Sequence, residues 1–146
     1  MAAAPATDAD VTRVLDAYRA AVLAQDAEAL ISLYTADVRV FDLWAAWSED
    51  GLVARRTAVE EWFGSLGEET VHVSTSDVRS HLGADLAVVE CFTRFEARSP
   101  DGEVLRWMSN RTTRVLVPDV AGEWRIAHEH TSAPVDPATG AAVLQR

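Results

Sequence analysis

The chain has 146 residues, enough for one domain with a core of its own. Its formal charge of −10, from 23 Asp and Glu against 13 Lys and Arg, argues against a phosphate-tracking surface, so neither nucleic acid nor an anionic membrane is an expected partner. With 49% hydrophobic and 25% charged residues the composition is that of a globular domain, and a single cysteine, Cys91, excludes an intrachain disulfide and a cysteine-cluster metal site.

Residues 1–6 carry neither the basic start nor the apolar stretch of a secretory signal and read as a disordered arm before a single domain at 7–135. No run approaches the ~20 apolar residues needed to span a bilayer, so the expected location is the cytoplasm. Thr7 or Asp8 can cap a helix whose apolar positions Val11, Val14, Leu15, Tyr18 and Val22 fall at helical spacing. Gln25-Asp26 breaks it, and Asp26 can cap a short second helix carrying Leu30, Ile31, Leu33 and Tyr34. Val38 to Asp42 is short and β-rich. Thr57-Ala58-Val59-Glu60 has the form of a capping box, which predicts a third helix from Thr57 through Trp62 and Phe63 to Leu66.

From Val71 the apolar period changes to two, predicting strands over 71–79, 86–98, 103–117 and 123–134. Pro100-Asp101-Gly102 turns the middle pair and Pro118 to Gly122 the last pair, while 136–146 reads as a loose tail. Helices first and a meander afterwards is an α+β plan, with three helices packed on one face of a strongly curved antiparallel or mixed sheet. Strands this long must bend, and a bent sheet closed by helices is a cone with one open end.

Polar residues interrupt this pattern where a simple core would have none. In Trp124-Arg125-Ile126-Ala127-His128-Glu129-His130, strict alternation puts His128 and His130 on the face of Trp124 and Ile126. They read either as pocket groups or as a hydrogen-bonded pair in the core or an interface. As metal ligands they would need Asp42 or Glu90 as a third donor, which nothing in the sequence forces; no metal and no cofactor is expected. Ser109 to Thr113 is polar on both faces, and Arg111 and Arg114 fall on opposite faces, so only one can serve an anion site. Glu90 and Arg94 fit an ion pair on an outer face as well as a pocket.

Asp42 ends an apolar strand just before Leu43-Trp44-Ala45-Ala46-Trp47, as a turn residue or as a pocket rim. Trp44 and Trp47 either plug the cone or wall an opening for an apolar ligand. Cys91 lies in an apolar stretch and reads as an inert buried thiol. No glycine-rich phosphate loop and no Gly-x-Ser-x-Gly elbow is present. The strand with Ala87, Val89 and Cys91 on one face has Val88 and Phe92 on the other, so the face not used by helices is expected to be covered by a second copy in a homodimer.

The run Tyr18 to Leu30, then Leu33-Tyr34-Thr35-Ala36-Asp37 and Val40-Phe41-Asp42, together with the ending Gly122 to Pro134, resembles the nuclear transport factor 2-like superfamily. Within it the chain is similar to the SnoaL-like and ketosteroid isomerase-like branch; its ending is similar to the last strand of the SnoaL-like proteins, a branch that also resembles the calmodulin-dependent kinase association domain. The resemblance implies the cone-shaped cystatin-like fold. It places Asp42 where ketosteroid isomerase has its general base and Tyr18 where it has its oxyanion-hole tyrosine; Tyr18 fits a helix core position equally well. That enzyme's second, protonated aspartic acid is matched here by Asn110-Arg111-Thr112, with no carboxyl. The expected function is cofactor-free acid–base catalysis, of isomerase, cyclase or dehydratase type, on an apolar carbonyl-bearing small molecule of the kind secondary metabolism supplies. Its catalytic groups are Asp42, Tyr18, His128 and His130, and its substrate contacts Trp44, Trp47, Trp62, Asn110 and Arg111. The alternative is a non-catalytic ligand-binding or dimerisation module. An outlying one is an iota-carbonic anhydrase-like activity, suggested by the histidine-rich ending.

Overall fold

In the computed structural model, which describes residues 4–146, each helix starts at a residue that satisfies its free N–H groups or turns the chain into it. Helix α1 (Asp8–Ala24) begins at a reciprocal capping box: the Thr7 hydroxyl accepts from the Asp10 amide, and the Asp10 carboxylate accepts from the Thr7 amide. Gln25 ends it in the left-handed region at φ 51°, and Asp26 caps α2 (Ala27–Ile31). The second helix stops before Tyr34, which the sequence pattern had placed in it. The Leu33 carbonyl accepts from the Ile126 amide, so the chain is captured by a strand and Tyr34 opens β1 (Tyr34–Phe41) instead.

After β2 (Glu49–Asp50), α3 (Leu52–Ser65) starts five residues before the expected Thr57. Gly51 adopts φ 88°, which a side chain would strain, and its carbonyl accepts from the Arg55 amide to open the helix. Thr57 sits inside the helix with its hydroxyl donating to the Val53 carbonyl, so the capping-box pattern is not used.

The chain then forms the meander β3 (Thr70–Leu82), β4 (Ala87–Arg98), β5 (Val104–Pro118) and β6 (Trp124–Ser132). The six strands form one sheet in the order β2-β1-β6-β5-β4-β3, in which β1 runs parallel to β6 and every other pairing is antiparallel. The sheet is therefore mixed and curved, with three helices against it. Its inner face contributes Val71, Val73, Ala87, Val89, Leu116 and Ile126 to a core completed by Val11, Val14, Leu15 and Val22 of α1.

One irregularity decides what faces inward. Val115 pairs with His128, but Leu116 pairs with Ile126, so Ala127 is an extra residue on β6. Such a bulge flips the alternation beyond it. Trp124 and Ile126 are buried before the bulge, and Glu129 and Thr131 are buried after it. His128 and His130 are turned to the other face, against the expectation from strict period two.

Both ends of the chain are more tied down than the sequence suggested. Residues 1–3 of the expected arm lie outside the described residues, while Ala6 is buried and its amide donates to the Gly83 carbonyl. The tail is not loose. Val135 bridges to Ala142, and the Leu144 carbonyl accepts from the Ser109 amide, continuing along β5 past the last residue of β6. Arg146 then closes over the Phe92 ring at 3.7 Å. Among the described residues no helix is long and apolar enough to cross a membrane.

Ile126 is fully buried where β6 meets the helices. Replacing it with alanine removes transfer free energy and leaves a cavity, so Ile126→Ala should cost about 2–5 kcal/mol in urea unfolding with an unchanged m-value.

Candidate functional site

Between α3 and the concave face of the sheet lies a cavity of about 500 Å³. Its apolar wall is built from Trp62 and Leu66 of α3 with Phe95 and Met108 of the sheet, and Trp44 stands at the rim, 54% exposed. Trp62 meets the Phe95 ring edge-on, with centroids 6.0 Å apart, so the aromatic residues form a wall and leave the cone open.

The closed end is polar and charged. Arg114 on β5 donates from Nε to Glu129 Oε2 at 2.6 Å, and Arg55 on α3 donates from Nη2 to Glu129 Oε1 at 3.2 Å. Arg55 also reaches the Tyr34 hydroxyl at 3.1 Å and Glu49 Oε2 at 3.0 Å, and Tyr34 donates to the Glu129 carboxylate. The Arg114 guanidinium lies over the Tyr18 ring at 4.4 Å. Such a cluster survives burial only because each charge has an opposite neighbour and hydrogen bonds.

The protonation states follow from the surroundings. Burial by itself would raise the Glu129 pKa, but the charges of Arg114 and Arg55 and the hydrogen bonds to Arg114 and Tyr34 outweigh it and hold the carboxyl below its ordinary value. Glu49 goes the other way: burial raises its pKa despite Arg55, and the nearby charges of Asp42 and Glu129 add to the rise. Burial, reinforced by Glu129, pushes Tyr18 up to about 12, so its phenol stays protonated and remains a donor.

Asp42 reaches the cavity from the end of β1. Its Oδ1 accepts from the Thr131 hydroxyl at 2.8 Å, and that hydroxyl accepts from the Leu43 amide at 2.8 Å. The hydrogen-bond partner of Asp42 is therefore Thr131, while Tyr18 lines the same cavity within range of the Asp42 charge. Across the cavity Asn110 is buried, with its carbonyl oxygen accepting from Thr112 at 2.8 Å. Thr112 is linked in turn to the Thr93 hydroxyl at 2.8 Å.

Of the residues expected at the site, the structure brings together Asp42, Tyr18, Trp44, Trp62 and Asn110. The other four lie elsewhere. His128 donates from Nδ1 to the Arg39 carbonyl at 2.7 Å, and His128 and His130 both pack edge-on against Phe41 outside the cone. Arg111 is exposed and donates to Ser132, because the arginine facing inward is Arg114. Trp47 is 98% exposed, beside Phe41 and His130 in a shallow outer depression. Glu90 and Arg94 do not pair with each other: Arg94 reaches Glu96 and stacks on Trp107, while Glu90 lies near His81. Among the described residues no group of three His, Cys, Asp or Glu side chains is placed to hold a metal ion.

Glu129, Glu49 and Arg55 are site residues that were not among those expected from the sequence. Arg55 had a signal, since it precedes Val59 and Phe63 at steps of four on the buried stripe of α3. Glu129 had none, because only the bulge turns it inward.

This architecture, a cone of helices on a curved mixed sheet with one open cavity, is the nuclear transport factor 2-like or cystatin-like fold. The chain belongs to the SnoaL-like domain family, whose sequence profile matches residues 11–136. Solved structures agree. A nuclear transport factor 2-like protein of unknown function from Pseudomonas putida is 24% identical, with a TM-score of 0.83 over 95% of this chain and 94% of that one. A putative calcium/calmodulin-dependent protein kinase II association domain from Xanthomonas campestris is 18% identical, with a TM-score of 0.73 over 92% and 95%. A Catenulispora acidiphila protein in complex with S-DNPA is 16% identical, with a TM-score of 0.72 over 85% and 90%. At these identities the likeness is one of fold. No curated protein matches the chain in sequence.

Removing the charge of Glu129 leaves two buried guanidinium groups facing each other, so Glu129→Gln should cost about 3–5 kcal/mol in urea unfolding. Because the Glu129 pKa is depressed in the folded state, its contribution is present above the ordinary carboxylate pKa and lost as pH falls through the depressed value. The stability gap between the two proteins should therefore close on acidification. A gap independent of pH would show that Glu129 acts by packing alone.

Proposed function

We propose that the protein is a small-molecule enzyme using cofactor-free acid–base chemistry on an apolar, carbonyl-bearing substrate held inside the cone. One observation carries the reading: a single cavity of about 500 Å³ is lined by the carboxylate of Asp42, the phenol of Tyr18 and the guanidinium of Arg114. A void of this size suits a drug-sized molecule, and the aromatic wall gives it apolar area to bury.

In this reading Asp42 removes a proton from the carbon beside the carbonyl. Thr131 fixes its Oδ1, which leaves Oδ2 to work. Negative charge then develops on the carbonyl oxygen, and the protonated Tyr18 phenol donates to it with Arg114 close behind the Tyr18 ring. Asn110, anchored through Thr112, supplies an amide to orient the substrate. The Catenulispora acidiphila neighbour in complex with S-DNPA supports use of this fold to hold a ligand.

Deuterium exchange at the α-carbon of β-tetralone, followed by NMR in D2O, tests the base. Asp42→Asn should slow the exchange catalysed by the protein by ~10²–10⁴-fold while the variant stays folded. Exchange at the unaltered rate would sink the mechanism.

The same reading includes a homodimer. Phe41, His128 and His130 sit with the exposed Trp47 on the outside of the sheet, an aromatic patch that a second copy would cover. Sedimentation velocity should give a dimer at micromolar concentration and a monomer for Trp47→Glu. A monomeric unaltered protein would count against the pairing and leave the cavity chemistry untouched.

A further inference from the structure

The chemistry proposed for Asp42 leaves a shielded cavity carboxyl without a task, whereas Glu61, also on the lining, is exposed. Glu49 lines the same cavity, its side chain 12% exposed, and only one of its oxygens is engaged: Oε2 accepts from Arg55 Nη1 at 3.0 Å. Among the described residues Oε1 has no hydrogen-bond partner. Glu129, the other carboxylate on Arg55, has both oxygens bonded.

We propose that Glu49 is the general acid of this site and that the reaction is the elimination of water from a β-hydroxy carbonyl compound, or its reverse. The proposal rests on the reading of Asp42 as the base. The backbone places the two carboxyls together. Glu49 pairs with Val40 across the β1–β2 ladder, and opposed residues share a face. Val40 is buried, and Asp42, two residues further on, continues its face. Glu49 and Asp42 thus come to the same inner face and line one cavity, close enough for the Asp42 charge to act on Glu49. The two bracket the loop that carries Trp44 at the rim. A substrate entering there meets both.

Their surroundings divide the labour. The groups facing Glu49 are Arg55 from α3, Asp42 from the end of β1 and Glu129 from β6; burial with the two carboxylates favours its protonated form over the pull of Arg55. Two carboxyls held in different environments within one cavity are the usual means of having an acid and a base at the same pH. Protonated Glu49 also leaves Arg55 and Arg114 balanced by Glu129 alone. The closed end then carries net positive charge where an enolate would form.

The step balances without a further reactant. Asp42 takes the α-proton, and the electron pair of that C–H bond forms the enolate, whose oxygen accepts from Tyr18. The enolate collapses to the α,β-unsaturated carbonyl as the bond from the β-carbon to oxygen breaks, and Glu49 gives its proton to the departing oxygen, which leaves as water. Asp42 ends protonated and Glu49 ionised, and proton exchange with solvent restores both.

The probe is the aldol adduct of acetone and naphthaldehyde, a β-hydroxy ketone with a fused aromatic ring. In D2O its α-methylene exchange is read by NMR and its conversion to the enone by absorbance, on the same sample. The unaltered protein should do both, and Asp42→Asn should lose both. Glu49→Gln, which keeps the size of the protonated acid and an acceptor for Arg55, should lower the ratio of enone formed to protons exchanged by ~10²-fold or more. In the unaltered protein that ratio should fall as pH rises through the titration of Glu49, a readout that needs no variant and decides the matter should Glu49→Gln fold poorly. An unchanged ratio in Glu49→Gln, a ratio flat with pH, or exchange with no enone from the unaltered protein would each overturn the role of Glu49 and leave Asp42 as base. No exchange by the unaltered protein would overturn both.

Discussion

Glu129 is buried with one oxygen on Arg114 and the other on Arg55, and the construction of the cavity follows from that arrangement. A carboxylate taken out of water costs several kcal/mol unless its partners come with it. Here the partners lie on different elements: Arg114 on β5, Arg55 on α3 and Tyr34 on β1. The charge on β6 therefore specifies which helix and which strands close the cone. It also sets the character of the closed end. Guanidinium groups and a carboxylate occupy the place where leucine or phenylalanine would otherwise fill the space.

Around that polar end the cavity grades outward to an apolar wall of Trp62, Phe95 and Leu66 and a rim at Trp44. Such a gradient would turn a bound ligand with its hydrocarbon toward the wall and its acceptor group toward the charged end. The same gradient separates the acid–base groups. Glu129 is held ionised between arginines, whereas Tyr18 and Glu49 are driven toward their protonated forms by burial. Asp42 stands near the rim, oriented by Thr131, which itself is anchored to the Leu43 amide. One void thus holds a group kept ionised beside groups driven toward their protonated forms, which is what proton transfer between carbon and oxygen requires.

The outer side of the sheet follows a different logic. Phe41 collects the two histidines of β6 edge-on, Arg94 stacks on Trp107, and the chain end folds back so that Arg146 covers Phe92. These contacts mix aromatic area with cations and imidazoles, while Trp47 beside Phe41 stays exposed. His128 and His130 belong to that surface, so the carbonic anhydrase-like alternative, which rested on them, has lost its placement in the cavity.

Much of the scaffold was legible from local pattern. The helical stripe Val11, Val14, Leu15, Tyr18, Val22, the caps at Thr7 and Asp26, and the period of two after Val71 each depend on neighbours close in sequence, so the sequence by itself determined α1, the start of α2 and the four-stranded meander. It also determined that Asp42 ends a strand before an aromatic loop, and that Tyr18 and Asn110 belong to the interior. What it did not determine was facing. Whether Arg111 or Arg114 points inward depends on which side of β5 the helices cover. Whether Glu129 or its flanking histidines enters the cone depends on one unpaired residue, Ala127. A bulge exists only relative to a partner strand, since it is a mismatch in register between β5 and β6. The helical stripe could place Arg55 inward, but that it meets Arg114 and Glu129 at the charged end was decided by tertiary structure, because a contact between distant elements depends on how they pack and not on the pattern within either one.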